Sequence, residues 1–577
     1  MSTPASLFAS KLEGHLTRLY PDEDVAALVT EIVTRVERLG PPSNEPAEKW
    51  SQNDVALITY GDSVTVDGES PLVTLRNLLQ SHLEDTVSAV HVLPFYPYSS
   101  DDGFSVIDFV AVDPRLGDWE DVRDLAGQTK LMADLVINHV SSQSAWFQQF
   151  LADEVPGRDY FIALDPETDV SEVIRPRSHP LLVPFETAAG RRSVWATFSE
   201  DQIDLDFSNP AVLLEMIRVV VFYLEQGVQW LRLDAVGFLW KVVGTPCIHH
   251  ELTHEVVRLL RTVAEAINPH AVLITETNVP ALENLTYFGN RNEAHAIYNF
   301  SLPPLLIDAL IQGRSKHLRA WLMSMPPAPY GCAYFNFTAS HDGIGLRPTE
   351  GLLSSEDIDQ FIETLRGFGA EVSMRTDGTG RESPYEVNIS LFDALKGTVR
   401  GEDEFQVERF LCSQIVMLGL EGIPAVYIHS LLATPNDHDQ VRATGRKRSI
   451  NRHRWSLERL EEELADPASD SARVLAALQR VLRIRRRQPA FHPDATQYTL
   501  QLGESLFGVW RQSVRREQSI FAVHNLTRTK RSLDLSKLNL LATDEWFDLI
   551  DGARLTSLQD ELELSPYQCV WLTNYEA

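Results

Sequence analysis

Leu231-Arg232-Leu233-Asp234-Ala235-Val236-Gly237-Phe238 follows Glu225-Gln226-Gly227-Val228-Gln229-Trp230, and the order of these residues decides how the chain is read. Gly227 is a helix stop. The apolar run from Val228 to Val236 then reads as a short strand covered on both faces. A carboxylate, Asp234, stands inside it. Burying an ionised group costs several kcal/mol unless it is paired. In a strand, residues i and i+2 share a face, so Arg232 and Asp234 lie side by side. Taken alone, the pair reads first as a structural ion pair; the sharper reading is a nucleophile kept ionised by its arginine.

Two further stretches decide between them. Ala271-Val272-Leu273-Ile274-Thr275-Glu276-Thr277 is a second apolar run that ends in an acid, and Tyr334-Phe335-Asn336-Phe337-Thr338-Ala339-Ser340-His341-Asp342-Gly343 is a third. A helix-like segment precedes each, so the acids fall at the C-terminal ends of strands in a strand and helix alternation. In a parallel barrel those ends converge on one face, where active sites form.

Outward from these runs, the chain reads as an α/β protein built on a (β/α)8 barrel. Residues 1–52 read as a helical extension, with Phe8, Leu12, Leu16 and Leu19 and then Val25, Leu28, Ile32, Val33 and Val36 at helical spacing, broken at Gly40-Pro41-Pro42-Ser43-Asn44. The barrel takes residues 53–139 and 210–490, with further strands expected at Asp54–Tyr60, Val87–Phe95, Leu131–His139, His295–Leu302 and Ile423–His429. Residues 140–209, irregular and rich in proline, read as a domain inserted after the third strand. Residues 343–405 read as a long insertion after the seventh strand, and residues 491–577 as a small C-terminal β domain.

The 577 residues carry a net charge of −30. There is no excess of Lys and Arg to meet phosphates, which argues against a nucleic-acid or anionic-membrane partner. An anionic small substrate needs only a local basic cluster, and Arg175-Pro176-Arg177-Ser178-His179 and the Thr434–Arg454 loop are such clusters. Cys247, Cys332, Cys412 and Cys569 are far apart, without metal spacing, and suit a reduced cytoplasmic protein. No signal peptide, membrane span, metal site or cofactor is expected.

Asp134-Leu135-Val136-Ile137-Asn138-His139, Leu231-Arg232-Leu233-Asp234-Ala235, Thr275-Glu276 and Ser340-His341-Asp342 resemble the ordered signature regions of glycoside hydrolase family 13, the α-amylase superfamily. Gly237-Phe238, where typical amylases carry Lys-His, together with His341-Asp342-Gly343-Ile344-Gly345, Arg175-Pro176-Arg177 and Ser449-Ile450-Asn451-Arg452-His453, is similar to the sucrose phosphorylase subgroup. The resemblance implies Asp234 as nucleophile, Glu276 as general acid and base, and Asp342 as transition-state stabiliser. It implies that Asp101, His139, Arg232, His341 and Arg448 line a glucosyl pocket, with Phe104, Arg175, Arg177, Asn278 and Tyr385 also touching substrate. Arg232 is expected to lower the pKa of Asp234, and an apolar neighbourhood to raise that of Glu276.

The implied activity is that of a glycosyltransferase-type phosphorylase. It would convert an α-glucoside and inorganic phosphate to α-glucose 1-phosphate with retention, through a covalent glucosyl-enzyme. Asn278 stands where sucrose phosphorylases carry a fructose-binding His, and Ile174 where they carry Tyr. With Ser99-Ser100-Asp101-Asp102-Gly103-Phe104 and Thr275-Glu276-Thr277-Asn278-Val279-Pro280, this looks more like the glucosylglycerate phosphorylases of the same subgroup, whose acceptor is D-glycerate. Sucrose, sucrose 6-phosphate and glucosylglycerol are the alternative substrates, and a hydrolase or transglucosidase is the alternative reaction. A monomer or homodimer is expected.

Overall fold

Short apolar runs bounded by turns become eight parallel strands. These are β1 (Ala56–Thr59), β2 (Ala89–Val92), β3 (Lys130–Val136), β4 (Val228–Asp234), β5 (Val272–Thr275), β6 (Ala296–Tyr298), β7 (Ala333–Phe337) and β8 (Ile423–Tyr427). Each pairs with its neighbours in sequence, and β1 pairs with β8 to close the barrel. Every residue of β1, β2, β5, β7 and β8 is buried, as a sheet covered by helices outside and packed side chains inside requires. The computed structural model describes residues 4–43, 47–177, 179–376, 382–541, 544–558 and 561–575. Asn44, in the predicted break after the N-terminal helices, and Ser178, within the basic run, lie outside the described residues.

Several strands end sooner than the apolar pattern suggests. β8 stops at Tyr427 because Ile428–Leu431 turns into a helix, and β6 stops at Tyr298, with Leu302–Gln312 helical. His139 is not the end of β3. It opens a separate short strand, His139–Ser141, antiparallel to Gln202–Asp204. Buried apolar residues continue past each strand end because the loops above the barrel are themselves covered.

The segment between β3 and β4 is more regular than its prolines suggest. It holds the helix Ala145–Ala152, capped by the Ser144 hydroxyl, and a sheet of Leu182–Thr187, Gly190–Trp195 and Ala163–Leu164. Between β7 and β8, Glu382–Asn388 lies between Ile344–Gly345 and Glu371–Thr376 in an antiparallel sheet. The C-terminal strands Thr496–Thr499, Leu506–Gln512, Ser519–Asn525, Phe547–Asp548 and Cys569–Thr573 form a five-stranded antiparallel sheet. The two N-terminal helices, Pro4–Leu19 and Val25–Glu37, bury Phe8, Leu12, Leu16, Leu19, Ile32 and Val36. The first packs along Glu251–Ile267, where Arg18 Nε donates to Glu255 at 2.7 Å. Among the described residues no helix is long and apolar enough to cross a membrane.

Candidate active site

The mouth of the barrel is organised around one arginine. Arg232, inside β4 and 2% exposed, donates from Nη1 to Asp134 on β3 and, at 2.8 Å, to Asp234 at the end of β4. Its Nη2 lies 3.8 Å from Glu276, just past β5. Asp134 is held from behind by His91 of β2 at 2.6 Å. Three adjacent strands thus deliver three carboxylates to one guanidinium, and Phe104 and Tyr298 put their rings 5.6 and 5.4 Å from it.

After Asp234 the backbone turns sharply. Ala235 takes φ +54°, a left-handed conformation that costs a non-glycine residue about 1–2 kcal/mol. The turn aims the Ala235 N–H at Glu276 Oε2, 3.3 Å away. Burial raises the pKa of both carboxyls; Glu276 adds to the rise at Asp234, and Asp342 and Asp134 add to that at Glu276. For Glu276 this is the expected direction. For Asp234 it reverses the expectation: Arg232 opposes the rise but is shared with Asp134 and Glu276, so one cation cannot lower Asp234 below the ordinary range. Asp342 differs. Burial pushes it up as well, but Arg448, with Arg232, Arg452 and Arg177 farther out, outweighs burial and holds it below the usual carboxylate value.

Asp342 sits beyond the end of β7, and Arg448 reaches it from the loop after β8, Nη1 to Oδ1 2.6 Å. The rest of that guanidinium is clamped by Glu386, Nε to Oε1 2.9 Å and Nη2 to Oε2 2.6 Å, a bidentate pair. His341 stacks on Phe104 with ring centroids 4.9 Å apart. Arg452 anchors the same corner, its Nε donating to the His341 carbonyl at 2.9 Å and its Nη1 to Asp102. Asp101, Asp102 and Gly103 all take positive φ in the loop after β2. That turn brings Asp101 to Gln202 Nε2 (3.4 Å), which also lies 3.1 Å from His139 Nε2.

One cavity collects every residue the sequence singled out: Asp234, Glu276 and Asp342; Asp101, Phe104, His139, Arg232, His341 and Arg448; and Arg175, Arg177, Asn278 and Tyr385. Arg177 lies over the Tyr385 ring at 5.7 Å. Among the described residues no carboxylate forms an ion pair with Arg175 or Arg177, whereas Arg347 pairs with Glu283 at 3.2 Å and Arg375 with Glu350 at 3.4 Å. Sequence reasoning missed Arg347, Arg375, His249 and Gln202 in the lining, and the Glu386 brace. None of them closes an apolar run or falls in a recognised motif, so none carried a signal of its own; Glu386 adjoins Tyr385, but its role depends on Arg448.

Comparison with known proteins gives a family model described as "Alpha amylase, catalytic domain", which matches residues 83–323. The chain is 43% identical over 564 residues to a glucosylglycerate phosphorylase of Allomeiothermus silvanus, covering 97% of each chain. It is 42% identical over 549 residues to a glucosylglycerate phosphorylase of Spirochaeta thermophila, covering 93% of each. Among solved structures, the sucrose 6F-phosphate phosphorylase from Thermoanaerobacter thermosaccharolyticum superposes with a TM-score of 0.73 at 25% identity, over 90% of this chain and 99% of that one.

Proposed function

The chain belongs to the α-amylase superfamily, among its glycoside phosphorylases, and from that premise we propose that it converts glucosylglycerate and phosphate to α-glucose 1-phosphate and D-glycerate. Asp234 attacks the anomeric carbon while Glu276 gives its proton to the departing glycerate oxygen. Phosphate, deprotonated by Glu276, then attacks the glucosyl ester, and the second inversion restores the α configuration. Arg232 bonds Asp234 at 2.8 Å but stands 3.8 Å from Glu276. With Arg232 nearer Asp234, we assign the negative charge to Asp234 and the proton to Glu276, against burial, which raises the pKa of both. Asp342, ionised beside Arg448, accepts from sugar hydroxyls, and Asp101, His139, His341 and Phe104 shape the glucosyl pocket.

The observation that carries phosphorolysis over hydrolysis is the pair Arg175 and Arg177, cations without a carboxylate partner among the described residues, facing a pocket lined by acids. Water needs no such groups. A phosphate dianion does, because the carboxylates repel it. Buried free thiols at all four cysteines fit a cytoplasmic enzyme.

The test is synthesis from α-glucose 1-phosphate, following phosphate release with D-glycerate, fructose, fructose 6-phosphate, glycerol and water offered separately. D-glycerate should give the highest kcat/KM, and Asp234→Ala should lower kcat about 10⁴-fold or more with folding intact. Preference for fructose would make the enzyme a sucrose phosphorylase, and water as the best acceptor would end the phosphorylase reading.

A further inference from the structure

The acceptor must leave from beside Glu276, because that acid protonates the departing oxygen. Thr277, Asn278 and Val279 follow Glu276 and line the cavity there. Asn278 packs against Gly345 so closely that a Cβ on Gly345 would come within 2.6 Å of its amide. Asn278 Oδ1 is buried without a hydrogen-bond partner. Two residues beyond Gly345, Arg347 lines the same cavity.

Arg347 is already bound to a carboxylate. Its Nη2 lies 3.2 Å from Glu283 Oε2, and His249 Nε2 lies 3.3 Å from the same oxygen. His249 Nδ1 in turn meets the buried Tyr287 hydroxyl at 2.7 Å. Burial, then His254 and Arg347, push the pKa of His249 down to about 4, so at neutral pH Arg347 is the cation of this group. Arg347 is largely enclosed, its side chain 16% exposed, whereas that of Glu283 is 39% exposed. The arginine is the more enclosed of the pair and its carboxylate partner the more exposed.

We infer that Arg347 is the carboxylate-recognising residue of the acceptor subsite and that Glu283 fills its place until the acceptor arrives. The inference rests on the glucosylglycerate reading and assigns its acceptor end. Arg175 and Arg177, on the inserted segment, are left to phosphate, so the two anions meet different cations. Glu283 also filters acceptors. Swinging it away strips Arg347 of a charge-assisted bond that another carboxylate restores and a neutral polyol does not.

The experiment compares D-glycerate with glycerol, the same three-carbon skeleton without the carboxylate, as acceptors from α-glucose 1-phosphate. In Arg347→Gln, KM for D-glycerate should rise about 10- to 100-fold, the worth of one hydrogen bond to a charged group, while KM for glycerol moves less than about threefold. Arg347→Lys should recover part of the loss. Glu283→Gln should lower KM for D-glycerate, the acceptor that displaces residue 283 from Arg347, and so widen its preference over glycerol. An unchanged D-glycerate KM in Arg347→Gln, in an enzyme whose wild type prefers D-glycerate, overturns this assignment and leaves the function standing. A wild type indifferent to D-glycerate overturns both. If Arg347→Gln fails to fold, Glu283→Gln decides: an unaltered preference ratio rejects the exchange.

Discussion

As the proposed proton donor, Glu276 has to hold a proton at a pH where a free glutamic acid has lost it, and burial, with Asp342 and Asp134 nearby, raises its pKa. The same arrangement opposes stability. A carboxyl whose pKa is higher folded than unfolded is costly to ionise in the fold, and the cost grows as pH rises above the unfolded value. Glu276→Gln removes the charge and keeps an acceptor for the Ala235 N–H. The variant should therefore melt higher than wild type at pH 8, and the gap should close as pH falls to the ordinary glutamate range, where both states carry the proton. Melting curves of the two proteins between pH 4.5 and 8 check this; a gap that widens on acidification would mean Glu276 is ionised in the fold. Activity moves the other way, with the proton-donating step lost in the variant.

At the scale of elements, the loop after β2 shows how much a single backbone position carries. Gly103 takes φ +110°, and a Cβ there would lie 2.8 Å from the Pro94 carbonyl oxygen. Gly103→Ala cannot keep that turn. It should shift Asp101 and Phe104 in the glucosyl pocket and Asp102 under Arg452, with a Tm several degrees lower and a raised KM for α-glucose 1-phosphate. A variant with wild-type KM would show that the loop adapts. This loop also marks what the sequence could reveal. Asp234 and Glu276 were legible because each stands at or near the end of an apolar run, so their place at a strand end follows from the strand itself. Asp342 was legible as the end of a similar run, although β7 stops five residues earlier, at Phe337. Gly103 and Glu386 were not, because their roles depend on Pro94 and Arg448, partners that only the folded chain brings near. The helix Ala145–Ala152 was missed although Ser144 caps it, because the prolines that follow masked its short period.

Across the whole molecule, charge and thiols are handled by position rather than composition. A chain with a net charge of −30 still presents Arg175, Arg177, Arg347, Arg375 and Arg448 to a single cavity. All four cysteines are free and buried in different parts of the fold. A thiol reagent such as 5,5′-dithiobis(2-nitrobenzoate) should find almost none of the four in the native enzyme and all four after denaturation. Rapid native labelling would mean that some region opens far more easily than the core packing implies. Asp234 and Glu276 sit at the strand ends, whereas Arg175 and Arg177 belong to the segment between β3 and β4, and Arg347, Arg375 and Tyr385 to the segment between β7 and β8. A protein engineer could therefore exchange the stretches around Arg175–Arg177 and Arg347–Arg375 as cassettes between phosphorylases to change the leaving partner, keeping His139, His341, Asp342 and Glu386 in place.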